Sequence, residues 1–235
     1  MSIFAKKTLP GGGVSAVLAD GRLHLQHGPI DLIIGVTGGD VAAAYGRAEV
    51  RFDGILAGLV TELPGLRSVD GGPFKGAIAQ GMDAAVAPFR PAFITPMAAV
   101  AGAVAEAVLA VLPAEGVTRA YVNNGGDIAL YLTLGTQFSV ALGLGPHRVL
   151  LRHADGVRGI ATSGWRGRSW SLGIADAVTV LAKTAAMADA AATMIANAVD
   201  LPGHPAVKRM AAQSLQHDSD LGARCPAQRA GVEQG

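Results

Sequence analysis

The sequence is poor in cysteine, in aromatic residues and in charge. Its one cysteine, Cys225, excludes a framework of disulfides and argues against a thiolate nucleophile. Aromatic residues make up 5% of the chain, too few for a platform that stacks nucleic-acid bases. A net charge of +1 with 16% charged residues provides no basic field for nucleic acid or for a membrane surface.

Long hydrophobic runs and export signals are also missing. The longest apolar stretch, residues 93–112, is interrupted by Glu106 and consists mostly of alanine, which favours a buried helix over a membrane span. The segment from Met1 to Lys7 lacks the apolar core of a secretion signal. We therefore expect a cytoplasmic protein with no nucleic-acid or membrane partner. Its partner would be a small-molecule ligand, and a homo-oligomer is an open alternative.

Small residues are what the sequence has in abundance. Of its 235 residues, 44 are alanine and 32 are glycine, and half of the chain is apolar. This much apolar surface can offset the conformational entropy that folding removes, so most of the chain is expected to fold. We predict a single domain over residues 1–218 and, because periodicity is lost there, a flexible tail over 219–235.

Two alanine-rich helices carry the clearest secondary-structure signals. One begins at Thr95-Pro96, an N-cap followed by proline, and is predicted to reach Leu112. The other is predicted from Thr184 to Val199. Further patterns predict a helix over 41–63, a loop over 68–82, and strands over 14–19, 22–27, 31–36, 119–122, 128–133, 138–142, 149–152, 159–162 and 169–181. The fold class is therefore α+β, with long helices packed on a mixed or antiparallel sheet.

A glycine-rich segment between two predicted strands is the first candidate for ligand contact. It reads Asn123-Asn124-Gly125-Gly126-Asp127. The glycines allow the backbone to approach a ligand closely, and the flanking side chains provide donors and an acceptor. Asn-Gly is also a strong signal for a hairpin turn, and composition alone favours the turn.

A second candidate follows the strand predicted at 159–162. Thr162, Ser163 and Gly164 come just before Arg166 and Arg168, so hydroxyls, backbone amides and guanidinium groups are close together in sequence. Such groups can hold a phosphate. A solvated loop with ordinary basic residues is an equally good interpretation.

The third candidate lies inside the second alanine-rich helix. Asp189 and Thr193 are four residues apart and therefore share one helix face. A carboxylate among apolar neighbours is costly unless it is paired or bound to a metal, and carboxylate and hydroxyl oxygens suit Mg²⁺. The alternative is a structural Asp–Thr pair or a surface position.

Taken in order, these segments resemble motifs of the ApbE family, the flavin-transferring enzymes once called thiamine-biosynthesis lipoproteins. Residues 122–128 are similar to the family's Asn-x-Gly-Gly-Asp-Ile segment, and 161–164 match its Ala-Thr-Ser-Gly. Residues 96–102 are similar to its Gly-Ala-Ile-Ala-Lys-Gly helix, and 188–193 to its Ala-Asp-x-x-x-Thr helix. The resemblance favours a short cytoplasmic branch whose members occur in methanogens and some bacteria.

This resemblance implies a fold of two T-fold-like halves that binds FAD and Mg²⁺. Family members transfer FMN to a threonine or serine of a target protein, or hydrolyse FAD. The metal ligands implied here are Asp189 and Thr193, with a backbone carbonyl from residues 98–101. The implied dinucleotide site consists of Asn124, Gly125, Gly126, Asp127, Thr162, Ser163 and Gly164.

Two family positions are filled differently in this chain. The family's lysine in the first helix falls on Ala101, and its histidine falls on Gly173. Without that histidine, the acid/base or orienting group for FMN transfer is missing. We therefore expect binding of a flavin- or pterin-like nucleotide. The alternatives are an enzyme of tetrahydromethanopterin (one-carbon cofactor) biosynthesis, an FAD:protein FMN transferase, and a non-catalytic scaffold or ligand carrier.

Overall fold

The computed structural model of the protein describes residues 6–142, 146–167, 170–217 and 219–228. Its strands are β1 (Lys7–Thr8), β2 (Val14–Val17), β3 (Leu23–His27), β4 (Ile30–Gly38), β5 (Val117–Asn124), β6 (Asp127–Leu132), β7 (Gln137–Ala141), β8 (Arg148–Arg152), β9 (Gly159–Ser163), β10 (Val178–Ala182), β11 (Lys208–Arg209) and β12 (Ala227–Gln228). Its α-helices are α1 (Val41–Phe52), α2 (Ile55–Thr61), α3 (Leu63–Leu66), α4 (Ala77–Val86), α5 (Val100–Leu109), α6 (Ala185–Ala198) and α7 (Ala212–Leu215).

Eight strands form one antiparallel sheet in the order β1-β2-β3-β4-β5-β6-β9-β10. The main core lies between one face of this sheet and helices α1, α4, α5 and α6, because alternate strand residues such as Leu32, Ile34, Ala120 and Val122 point to that side. A smaller cluster on the opposite face packs under the β7–β8 hairpin. The predicted α+β class, with helices packed on a sheet, is therefore confirmed.

The two alanine-rich helices pack together at unusually close range. A Cβ atom built on Gly102 of α5 would overlap the backbone carbonyl of Ala185 in α6. Glu106 of α5 accepts a hydrogen bond from the Ala186 amide at 2.7 Å and so caps the first turn of α6. Thr184 caps the same helix by accepting from the Met187 amide, as the sequence predicts.

Three sequence predictions of secondary structure are wrong in part. The single helix over 41–63 is broken into α1, α2 and α3, and the first break lies at Gly54, whose φ of 88° a continuous helix does not permit. The loop predicted over 68–82 ends early, because α4 begins at Ala77. Glu62, which is distant in sequence, accepts hydrogen bonds from the Lys75 and Gly76 amides just before this helix. The helix predicted from 96 begins as a 3₁₀ turn, Pro96–Ala99.

The strand predicted over 169–181 is also shorter than expected. Residues 168–169 lie outside the described residues, 170–177 form irregular backbone, and β10 starts at Val178. A side chain of α6 provides a hydrogen-bond acceptor for this irregular backbone, since Asn197 Oδ1 accepts from the Leu172 amide at 2.9 Å. The alternation of apolar residues in this segment does not reveal that contact.

Part of the predicted C-terminal tail is described. Asp220 accepts a hydrogen bond from the buried hydroxyl of Thr95 at 2.5 Å, and β12 pairs with β11. Residues 229–235 lie outside the described residues, and the division of the chain at 218 stays a prediction.

Candidate functional site

A cleft of about 1070 Å³ lies at the ends of β5 and β9, bordered by α2, α3, α5 and α6. The sequence analysis nominates nine site residues, and eight of them line this cleft although they come from three separate segments: Asn124, Gly125, Asp127, Thr162, Ser163, Gly164, Asp189 and Thr193. Gly126, the ninth, is not among the lining residues. The fold therefore brings the three sequence segments to one place.

The glycine-rich segment is both a hairpin turn and part of the cleft lining. Asn124 pairs with Asp127 across the β5–β6 ladder, which leaves Gly125 and Gly126 as a two-residue turn. Their φ values of 65° and 119° favour glycine at both positions. The Asn123 side chain closes the turn by accepting from the Gly126 amide at 2.8 Å.

Asn124 and Asp127 connect this turn to its neighbours. Asn124 is 7% exposed, and its side-chain amide donates to the carbonyl oxygen of Ala101 at 3.2 Å. Asp127 Oδ1 accepts from the backbone amide of Thr162 at 3.2 Å, at the end of β9. The turn is therefore tied to α5 on one side and to the second candidate segment on the other.

Asp189 is unusual among the cleft residues because its side chain caps a helix other than its own. It belongs to α6, yet its Oδ2 accepts from the Gly102 amide at 3.0 Å, and the Ala101 amide also donates to it, so it caps the start of α5. Burial raises the pKa of Asp189 well above the usual value of 3.8, and the nearby negative charge of Asp127 raises it further. The two amides lower it, but by less.

The donor set at this end of the cleft suits a hard cation. Asp189 and Asp127 are close enough for their charges to interact, and Thr193 lies one helical turn beyond Asp189 on the cleft side. No cluster of three or more His, Cys, Asp or Glu side chains arranged for a metal occurs within the described residues. Mg²⁺ needs no such cluster, because it commonly uses one or two carboxylates and completes its shell with water and ligand phosphates.

The cleft also has an apolar wall, which the sequence analysis did not identify. Its wall includes Leu56, Leu59, Val60 and Leu63 from α2 and α3, and Met97, Val100 and Val104 from the start of α5. The spacing 56, 59, 60, 63 is visible in the sequence as one helix face, but that spacing is equally typical of a core. Arg67, which follows α3 and also lines the cleft, carried no sequence signal.

The two positions that differ from the ApbE motifs have different surroundings. Ala101 lines the cleft. Gly173 does not appear in the lining, and a Cβ atom built there would overlap the carbonyl oxygen of Ala196 in α6. A histidine at this position would therefore require the backbone to move.

Comparison with known proteins identifies the family of the chain. The model of the family described as AbpE bacteria matches residues 15–231, so the chain belongs to this ApbE-like family. The assignment to the wider ApbE superfamily, made from motifs, stays a prediction. No helix in the described part of the chain has the length and apolar character needed to cross a membrane.

The curated proteins that the chain matches include UPF0280 proteins of archaea. One from Methanothermobacter thermautotrophicus is 42% identical over 118 residues, covering 48% of this chain and 46% of that protein. UPF0280 protein MK0206 of Methanopyrus kandleri is 41% identical over 145 residues, covering 59% and 54%. One from Methanothrix thermoacetophila is 38% identical over 110 residues, covering 45% and 46%. The matches span about half the length of these curated relatives.

The raised pKa of Asp189 predicts how pH affects the stability of the metal-free protein. The folded state holds this proton more tightly than the unfolded chain, so stability falls as the pH rises from 3.8 towards the raised folded value. Asp189→Asn removes this contribution. Urea unfolding in a chelator is measured at about pH 5 and about pH 8. The free energy of unfolding of the variant, relative to that of the unsubstituted protein, is expected to be higher at pH 8 than at pH 5. A difference that does not change with pH would contradict the prediction.

Proposed function

We propose that this protein binds a flavin- or pterin-like nucleotide in the cleft, with Mg²⁺ at its polar end. The observation that carries the proposal is the juxtaposition of two interacting carboxylates, Asp127 and Asp189, with a glycine turn and a long apolar wall in one cleft of about 1070 Å³. Ligand sites are typically concave and mostly apolar, with a few convergent polar groups.

Asp189 and Thr193 would hold the metal, and the resemblance adds a backbone carbonyl from residues 98–101, for which we propose that of Ala101, which lines the cleft. When bound, Mg²⁺ would neutralise the negative charge on the phosphate groups of the ligand. Asn124 fixes the Ala101 carbonyl through its 3.2 Å hydrogen bond, and Asp127 fixes the β9 end through Thr162. The aliphatic wall excludes water from the ring end of the ligand.

Transfer of FMN to a protein is not part of this proposal. The histidine that the family uses falls on Gly173, where the carbonyl of Ala196 leaves no room for a side chain. The biosynthetic, transferase and scaffold alternatives stay predictions, as do the cytoplasmic location and the homo-oligomer.

A thermal-shift series tests the proposal. The purified protein is heated with FAD, FMN or a pterin nucleotide, each with and without Mg²⁺. A ligand at a hundred times its Kd is expected to raise the Tm by about 5 to 10 °C. The increase should be larger with Mg²⁺ than without it. Absence of any shift with all three ligand types in the presence of Mg²⁺ would refute the proposed function.

A further inference from the structure

Helices α5 and α6 cap each other reciprocally. Glu106 of α5 accepts a hydrogen bond at 2.7 Å from the amide of Ala186, the second residue of α6. Asp189 of α6 accepts one at 3.0 Å from the amide of Gly102, the third residue of α5. The first turn of a helix leaves its amides without acceptors inside that helix. Each carboxylate therefore supplies an acceptor that the opposite helix lacks.

The two sides of this arrangement have the same spacing. The helices are closest at Gly102 and Ala185, because a Cβ atom on Gly102 would lie 2.3 Å from the Ala185 carbonyl oxygen. Glu106 comes four residues after Gly102, and Asp189 comes four residues after Ala185. Residues four apart lie on the same face of a helix, about one turn apart. The two hydrogen bonds therefore lie on either side of the point of closest approach and tie the helices together there.

The start of α6 is also confined by β9. A Cβ atom on Gly159 would lie 2.1 Å from the carbonyl of Thr184, the N-cap residue of α6. Contacts of this kind limit how closely two elements approach, whereas a hydrogen bond also has a preferred angle. Ala186 is 3% exposed, so water does not readily replace Glu106 as the acceptor for its amide. Glu106 thus supplies a directional tie at the start of α6.

The position of α6 along its axis determines where Asp189 lies. Asp189 lines the cleft one turn beyond the contact with α5. A shift of α6 by the rise of one residue, about 1.5 Å, would take Asp189 out of hydrogen-bonding distance of the Gly102 amide. Burial raises the pKa of Asp189, which means that the site disfavours the charged carboxylate and that the fold must hold it there.

We infer that Glu106 is a positioning residue, which holds Asp189 in the cleft by fixing the start of α6. Glu106 is not among the residues that line the cleft, so it acts through α6 and not by contact with a ligand. Thr193 belongs to the same helix and would move together with Asp189. For cation binding this inference rests on the proposed function, whereas the placement of Asp189 does not depend on it.

Mg²⁺ titration calorimetry, performed well below the Tm of each variant, tests the effect on the cation. Glu106→Ala is expected to weaken Mg²⁺ binding by about tenfold, the effect of removing an outer partner of a metal site. Alanine is the best helix former, so this substitution does not weaken α5 itself. Glu106→Gln keeps a side-chain oxygen for the Ala186 amide and should retain most of the affinity.

Asp40→Ala is the matched control for a loss of stability without a loss of position. Asp40 caps α1 by accepting from the Ala43 amide at 2.9 Å, and α1 contributes no residue to the cleft lining. This variant should lose a helix cap as Glu106→Ala does, yet bind Mg²⁺ as tightly as the unsubstituted protein. Where the unsubstituted protein binds Mg²⁺, equal affinity losses in the two variants, or no loss in Glu106→Ala, would overturn the inference.

Amide hydrogen exchange of the metal-free protein tests the placement of Asp189 without a ligand. The Ala186 amide loses its acceptor in Glu106→Ala and should exchange faster in any case. The diagnostic amide is that of Gly102, whose exchange is expected to become about tenfold faster because its acceptor, Asp189, is no longer held. Unchanged exchange at Gly102 would overturn the inference.

The two measurements distinguish failure of this inference from failure of the proposed function. If the unsubstituted protein binds no Mg²⁺ but Glu106→Ala accelerates exchange at Gly102, the positioning role stands and the proposed function is wrong about the metal. If Mg²⁺ binds and requires Asp189, whereas Glu106→Ala changes neither the affinity nor the exchange at Gly102, the positioning role is wrong and the proposed function stands.

Discussion

Asp189→Asn is expected to weaken Mg²⁺ binding by at least about tenfold, the lower bound found when even outer partners of a metal site are removed. Asparagine has nearly the same shape as aspartate and can still accept from the Gly102 amide, so the cap on α5 is retained. What the variant removes is the negative charge that burial and Asp127 make unfavourable in the metal-free protein. Its metal-free stability should therefore equal or exceed that of the unsubstituted protein.

This pairing of lost binding with unchanged or increased stability separates a functional carboxylate from a structural one. Mg²⁺ titration calorimetry and urea unfolding of the metal-free protein supply the two measurements. Asp70→Asn, in the exposed loop before α4, is the control and should change neither. A destabilised Asp189→Asn that binds Mg²⁺ normally would show that the carboxylate serves only to cap α5.

Gly102→Ala is expected to lower the free energy of unfolding by about 1 to 3 kcal/mol or more, because the added methyl overlaps the Ala185 carbonyl in α6. The two helices must separate to accept it, which also moves Asp189 away from the Gly102 amide. Gly46→Ala is the matched control, since a Cβ atom built at Gly46 within α1 has no neighbour within 4 Å. It should stabilise the protein by about 0.5 to 1 kcal/mol.

Chemical denaturation of both variants gives the comparison. The same substitution, placed in two helices, is expected to change stability with opposite signs. Similar effects at the two positions would mean that the close approach of α5 and α6 does not govern stability. Mg²⁺ affinity of Gly102→Ala, measured under folded conditions, should fall with the displacement of Asp189.

The polar end of the cleft could be predicted from the sequence because each part has a local chemical reason. Glycines at 125 and 126 indicate a turn with positive φ, and an aspartate at 189 among alanines is conspicuous because burial of a lone carboxylate is costly. The start of α6 follows from Thr184 as an N-cap. These signals lie within a few residues of the feature they predict.

The starts of α4 and α5 and the apolar wall of the cleft depend on contacts between residues that are distant in sequence. The cap on α4 comes from Glu62, and the cap on α5 comes from Asp189, so neither helix start has a complete local signal. The face formed by Leu56, Leu59 and Val60 lines the cleft, where Leu59 is buried and Val60 is exposed, and sequence does not distinguish such a cleft wall from a core. Arg67 becomes noticeable only when the fold places it in the lining of the cleft.

Crystals of the protein soaked with Mn²⁺ as a substitute for Mg²⁺ would test the central claim most directly. An anomalous difference map is expected to contain a peak in the cleft within coordination distance of Asp189 and Thr193, and Asp189→Asn should remove it. A map without a peak at Asp189, from protein whose cleft is open to solvent in the crystal, would contradict the assignment of this carboxylate to a cation.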